Sequence, residues 1–238
     1  MIDRKQDRVH VAWDLETTGF AWSDQITVSG FWFPGGYTEL VVNTNGEPLN
    51  EKQVESELEG VSGVSVSVTV AEDEPVLLDA IEQILFERFE RQYNRLIAFN
   101  AESWKGGFDL PFLRTRCLHH DHTWIFDGIQ FADLWDPIKK RMNTTHTAYG
   151  TSTEVNSLTG VHELFFEQTR ASAVFSEQEV EATHPWYRND PYDPFEDSSS
   201  AVRCYKTGEF LPILQHNLAD VHRTWELGEL IREYVSPK

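Results

Sequence analysis

The spacing of apolar residues changes once along the chain, and that change constrains the fold more than any other feature. Up to residue 70 the apolar residues lie in short runs broken by turn residues: "VHVAWDLETTGF" (9–20), "QITVSGFWF" (25–33), "YTELVVNT" (37–44) and "VSVSVTV" (64–70). These read as strands; "PGG" joins two of them, and tight turns between the first three predict an antiparallel meander. From residue 72 the period becomes helical. Leu77, Ile81, Ile84, Leu85 and Phe89 recur on one face, with Pro75 in the first turn, where its missing N–H costs nothing. "RLIAFN" (95–100) then reads as a buried parallel strand, 108–120 as a helix and 128–135 as containing another strand. Further helices are expected over 133–142, 154–168 and about 208–234, with loop or a short helix over 43–60 and a Pro-, Asp- and Ser-rich loop over 184–200. Strands first, then helix and strand in alternation, predict one α/β domain over 1–238, with a mixed sheet flanked by helices.

Composition excludes several classes. No apolar run reaches the length of a membrane span, and "MIDRKQDRVH" has no signal-peptide core. With only Cys117 and Cys204 a disulfide framework is not in play, so a cytoplasmic, reducing location is the default expectation. The net charge is −19, from 39 acidic and 20 basic side chains. Such a chain has no global field to attract phosphates. Either the ligand is not a polyanion, or the protein works in concentrated salt, where the screening length falls to about 3 Å and local contacts do the binding.

One strand carries a local anomaly. In "VHVAWDLET", Val9, Val11, Trp13 and Leu15 share one face, while Asp14 and Glu16 project from the other beside Ala12. Two adjacent carboxylates repel and lose solvation when buried, so the pair reads as a solvated edge or as half of a divalent-metal site. Two more acids stand at informative places. Asp109 begins a predicted helix, where an acid is commonly a cap. Asp220 lies in the last helix, off the core stripe of Leu214, Leu218, Val221 and Trp225, with His216 one turn before it.

Together, "DLET" (14–17), "FNAESWKGGFDLPFL" (99–113) and "HNLADV" (216–221) resemble the three motifs of the DEDD superfamily of 3′–5′ exonucleases, which have a ribonuclease H-like fold and include polymerase proofreading domains. The resemblance implies that Asp14, Glu16, Asp109 and Asp220 hold two divalent ions, Mg²⁺ or Mn²⁺, which suit all-oxygen ligation. It implies hydrolysis of single-stranded DNA or RNA from the 3′ end, with His216 or a metal-bound hydroxide taking the proton of the attacking water. A non-catalytic binding or scaffold module of the same fold, and an endonuclease of the same fold, are the alternatives. Two departures stand out. "ESWKGG" separates Asn100 from Asp109 more widely than the usual second motif, and His216 occupies the spacing of the family's tyrosine subclass, Gln215 that of its histidine subclass.

Other candidates read as structure. "HHDH" (119–122) lacks zinc-ligand spacing, His162-Glu163 lacks the second His of a metalloprotease helix, and "DPYDPFED" (190–197) lacks the Gly of a calcium loop and reads as surface. Trp104 and Phe108 flank the second motif, where they could stack on bases or pack in the core.

Overall fold

A computed structural model describes residues 8–102, 107–148, 151–167, 193–195 and 198–235. The strands are β1 (Val9–Thr17), β2 (Ile26–Phe33), β3 (Tyr37–Asn43), β4 (Ser65–Ala71), β5 (Asn94–Ala98) and β6 (Phe131–Asp133). They form one sheet in the order β4-β3-β2-β1-β5-β6. β1, β2 and β3 are the antiparallel meander expected; β4 joins β3, and β5 and β6 extend from β1, all in parallel. The helices are α1 (Glu51–Ser62), α2 (Glu74–Arg88), α3 (Asp109–His119), α4 (Trp135–Arg141), α5 (Leu158–His162), which runs into a π turn at Glu163–Glu167, α6 (Ser198–Thr207) and α7 (Phe210–Tyr234).

Several boundaries differ from the sequence reading. The segment read as loop or short helix contains α1, twelve residues long, which Asn50 caps through its side chain. β7 (Thr145–Ala148) pairs antiparallel with β8 (Thr151–Glu154), and these short polar strands carry no apolar alternation. The helix expected over 154–168 is shorter, because Ser157 starts it by accepting a hydrogen bond from the Gly160 N–H. Residues 198–200, read as loop, begin α6; most of that loop lies outside the described residues, as does Trp104.

Strand alternation sends side chains to two cores. Val11, Trp13 and Leu15 of β1 pack with α2 and α3, through residues such as Leu77, Ile81, Leu110 and Leu113. Ala12 of β1 faces the other way, with α1 and α7, through Val54, Leu58, Leu214, Leu218 and Val221. α7 is buried on nearly every side, since α5 and α6 cover the surface it turns from the sheet. It carries polar groups into that core in pairs: His162 Nε2 lies 2.5 Å from Glu226 Oε2, and His10 Nδ1 3.2 Å from Glu229 Oε1. On the opposite face Glu74 ties three elements together. It accepts from the Ile26 N–H at 2.8 Å and from Arg116 Nε at 2.9 Å, with His120 Nε2 2.7 Å away. His120 is thereby used in a structural contact, and His122 sits 3.2 Å from Asp79, so these two imidazoles of "HHDH" serve different partners.

Candidate metal centre

Asp14 and Glu16 lie on the α7 side of β1, as their alternation with Trp13 and Leu15 requires. α7 crosses that face and presents His216 and Asp220 one turn apart. α3 starts at Asp109. All five side chains line one cleft of about 600 Å³, together with Asn100, Phe108, Phe20, Ser157 and Val202. Among the described residues, no Lys or Arg lines it. A larger hollow of about 730 Å³, bounded by Thr18, Asp24, Gln25 and Tyr205, gathers no comparable cluster.

The widened second motif does not displace Asp109. A Cβ added to Gly107 would stand 1.1 Å from the Asn100 carbonyl oxygen, so the backbone after the insertion returns against the residue before it. The Leu110 N–H then donates to the Ala101 carbonyl at 3.1 Å. Asn100 itself turns through φ +55° and lines the cleft. Asp133, at the end of β6, holds this corner by accepting the N–H groups of Asn100 at 2.9 Å and Glu102 at 2.8 Å.

His216 sits among acids. Its Nε2 is 3.6 Å from Glu16 Oε1 and 3.6 Å from Asp220 Oδ2, while its Nδ1 donates to Asp193 Oδ1 at 2.7 Å. Arg223 binds the outer side of the cluster, at 2.8 Å from Asp220 Oδ1 and 2.5 Å from Asp193 Oδ2. Asp193 therefore corrects the surface reading of "DPYDPFED": its side chain turns inward because two cationic partners await it there. Asn217 fixes the other end by donating from Nδ2 to Asp14 Oδ2 at 2.9 Å. Space for Asn217 comes from Gly30, which faces Asp14 across the β1–β2 ladder; a Cβ there would stand 2.0 Å from Asn217 Oδ1.

The electrostatics follow from burial and like charge. Burial, then Glu16, Asp220 and Asp109, raise Asp14 well above the usual carboxylate range. Asp109 is raised by burial first and Glu16 next. Burial and the carboxylates of Asp220 and Asp193 outweigh the attraction of His216 and push Glu16 up to about 7. For His216 burial acts downward, but Asp220, Glu16 and Asp193 prevail and push it up to about 10. Asp193 is lowered: the hydrogen bond and charge of His216, with Arg223, overcome its burial.

A divalent cation fits this donor set. Glu16, His216 and Asp220 each offer a ligand atom within 4.8 Å of the others, the one such group of three among the described residues. Asp109 is only 7 % exposed, lines the same cleft, and among the described residues its carboxylate is hydrogen-bonded to its own N–H alone. Oxygen-rich sites of this kind suit Mg²⁺ and Mn²⁺.

Neither a family model nor a curated relative matches the chain. Among solved structures it is similar to the family B DNA polymerase from the hyperthermophilic archaeon Pyrobaculum calidifontis, at 16 % identity and a TM-score of 0.52. That likeness covers 94 % of this chain and 24 % of the polymerase. The fold is ribonuclease H-like. The expected mixed sheet, antiparallel and then parallel between layers of helices, is the one observed.

Sequence reasoning placed Asp14, Glu16, Asp109, His216 and Asp220 in one site, and all five line one cleft. It missed Asn217, Arg223, Asp193 and Asp133. For two of these a signal was present: Asn217 and Arg223 stand three residues before and after Asp220, on its side of the helix. Asp193 had none, because its partner His216 is 23 residues away, on the far side of α6 in the sequence. Phe108 packs edge-on against Phe20, ring centroids 4.7 Å apart, so it belongs both to the core margin and to the mouth of the cleft.

Proposed function

We propose that the protein is a metal-dependent 3′–5′ exonuclease acting on single-stranded DNA or RNA. The observation that carries this reading is four carboxylates from three separate elements, brought with an imidazole into one cleft of a ribonuclease H-like fold. Asp14, Glu16, Asp109 and Asp220 would hold two Mg²⁺ or Mn²⁺ ions. Ions held there would supply Lewis-acid stabilisation to an in-line phosphoryl displacement. In the reaction a water oxygen bonds to phosphorus and the bond to the 3′ oxygen breaks. A nucleoside 5′-monophosphate leaves, and the shortened strand keeps a 3′ hydroxyl.

The chain's own groups have separable tasks. Asn217 holds the Asp14 carboxylate in one orientation, and Arg223 does so for Asp220. Both bonds remove rotamer freedom that ligation would otherwise have to freeze. Phe20 and Phe108 at the mouth offer ring faces to the terminal bases. With no Lys or Arg among the described residues of the cleft, stacking and metal contacts rather than a basic track would grip the strand. Strong salt dependence of the kind that counterion release produces is not expected.

The test is digestion of end-labelled single strands with Mg²⁺ or Mn²⁺, in dilute and molar salt. Mononucleotides released from the 3′ end, with circular single strands left intact, support the reading. Equal cutting of the circle replaces it with an endonuclease. Inert protein that still binds strands replaces it with a binding module.

A further inference from the structure

His216 lies where it could serve as a base or as a ligand, and its geometry separates the two. Its Nδ1 is fixed to Asp193 at 2.7 Å, and Asp193 is in turn fixed to Arg223 at 2.5 Å, so the ring cannot swing freely. Its Nε2 is thereby aimed between Glu16 and Asp220. At 3.6 Å from each, it is too far for a hydrogen bond to either. Ligands of an ion bonded at about 2.1 Å stand about 3 Å from their neighbours, so the three donors, each within 4.8 Å of the others, need only draw together to share one ion. Beside them lies Asp109, more than nine-tenths buried and, among the described residues, with no side-chain hydrogen bond beyond its own N–H. Such a group points to a cation in the cleft independently of the His216 cluster.

We propose that His216 is a nitrogen ligand to one of the two ions, with Asp193 as the carboxylate that orients it. The ion held by Glu16, Asp220 and His216 then has a mixed nitrogen and oxygen shell. Imidazole suits first-row transition ions better than Mg²⁺, so the site selects a transition ion such as Mn²⁺ over Mg²⁺. The Asp193–His216 contact repeats the arrangement in which a carboxylate takes the remaining N–H of a metal-binding histidine and fixes its orientation. This inference rests on the proposed nuclease reading for the presence of ions, but concerns which atoms hold them.

The experiment uses Mn²⁺ alone as the probe, on the full chain, read by pulsed electron paramagnetic resonance. The expected result is bound Mn²⁺ coupled to one ¹⁴N nucleus. His216→Ala is expected to abolish the coupling while Mn²⁺ still binds through the carboxylates. Mg²⁺ displacement should show Mn²⁺ preferred by on the order of tenfold or more in the wild type, with the preference shrinking in His216→Ala. Asp193→Asn should keep the nitrogen coupling yet weaken Mn²⁺ binding by about 10–100-fold. If His216→Ala does not fold, His216→Gln, which replaces the ring with an oxygen-bearing side chain, gives the same readout. Bound Mn²⁺ with no nitrogen coupling in the wild type overturns the inference and leaves the nuclease reading standing. Coupling that survives removal of His216 also overturns it. Absence of Mn²⁺ and Mg²⁺ binding overturns both.

Discussion

Glu16→Gln should stabilise the metal-free protein at alkaline pH and change it little at acid pH. Burial and the neighbouring acids raise Glu16 from 4.5 to about 7, so the folded state resists its ionisation. The sign follows from linkage: a carboxyl whose pKa is raised on folding contributes stability below 4.5 and loses it as pH climbs through about 7. A rise from 4.5 to about 7 corresponds to about 3 kcal/mol against folding at pH 8, and to about 1 kcal/mol or less at pH 5. Gln removes the charge and keeps the shape. For a chain of this length 1 kcal/mol moves Tm by about 2–4 °C, so the substitution should raise Tm by about 6–12 °C at pH 8. Differential scanning calorimetry in chelator at the two pH values measures it. Equal shifts at both, or a lower Tm for Glu16→Gln at pH 8, would refute the claim that burial and the neighbouring acids resist the ionisation of Glu16.

His216, raised from 6.5 to about 10, adds stability that is complete below 6.5 and lost as pH rises through about 10, so metal-free wild type should lose stability steadily from about pH 5 to pH 10. Ions must displace those protons, so titration calorimetry at pH 7 in buffers of different ionisation enthalpy should detect release of about one to two protons per protein on Mn²⁺ binding. Asp14→Ala, Glu16→Ala, Asp109→Ala and Asp220→Ala should each abolish metal-dependent nuclease activity, and full activity in Asp14→Ala and Asp220→Ala would defeat the two-ion reading. Gly30→Ala should lower both activity and Tm by driving its Cβ into Asn217 Oδ1, 2.0 Å away; adding Asn217→Ala should recover Tm but not activity, and a double variant no more stable than Gly30→Ala would count against that clash. If the −19 charge reflects a high-salt setting, Tm should rise in molar KCl, and a steady fall would count against it.

The sequence by itself determined the antiparallel meander, the order of the main elements and which side chains share a face, while the meeting of the five side chains was what the motif resemblance implied. The faces depend on local rules. Alternation on β1 puts Asp14 and Glu16 together on the side opposite Trp13, and the 3.6-residue period of α7 puts His216 and Asp220 on one side, whatever else the chain does. Only the tertiary structure decided what holds those groups. Gly30 gives up a side chain so that Asn217 can reach Asp14, a meeting of residues 203 positions apart that no period encodes. Asp193 comes from a polar loop that reads as surface, and turns inward because His216 and Arg223, delivered by another element, leave two cations to be satisfied there. Local patterning specifies which face a residue takes. Pairing of buried charge depends on which faces meet, and that is settled when the elements pack.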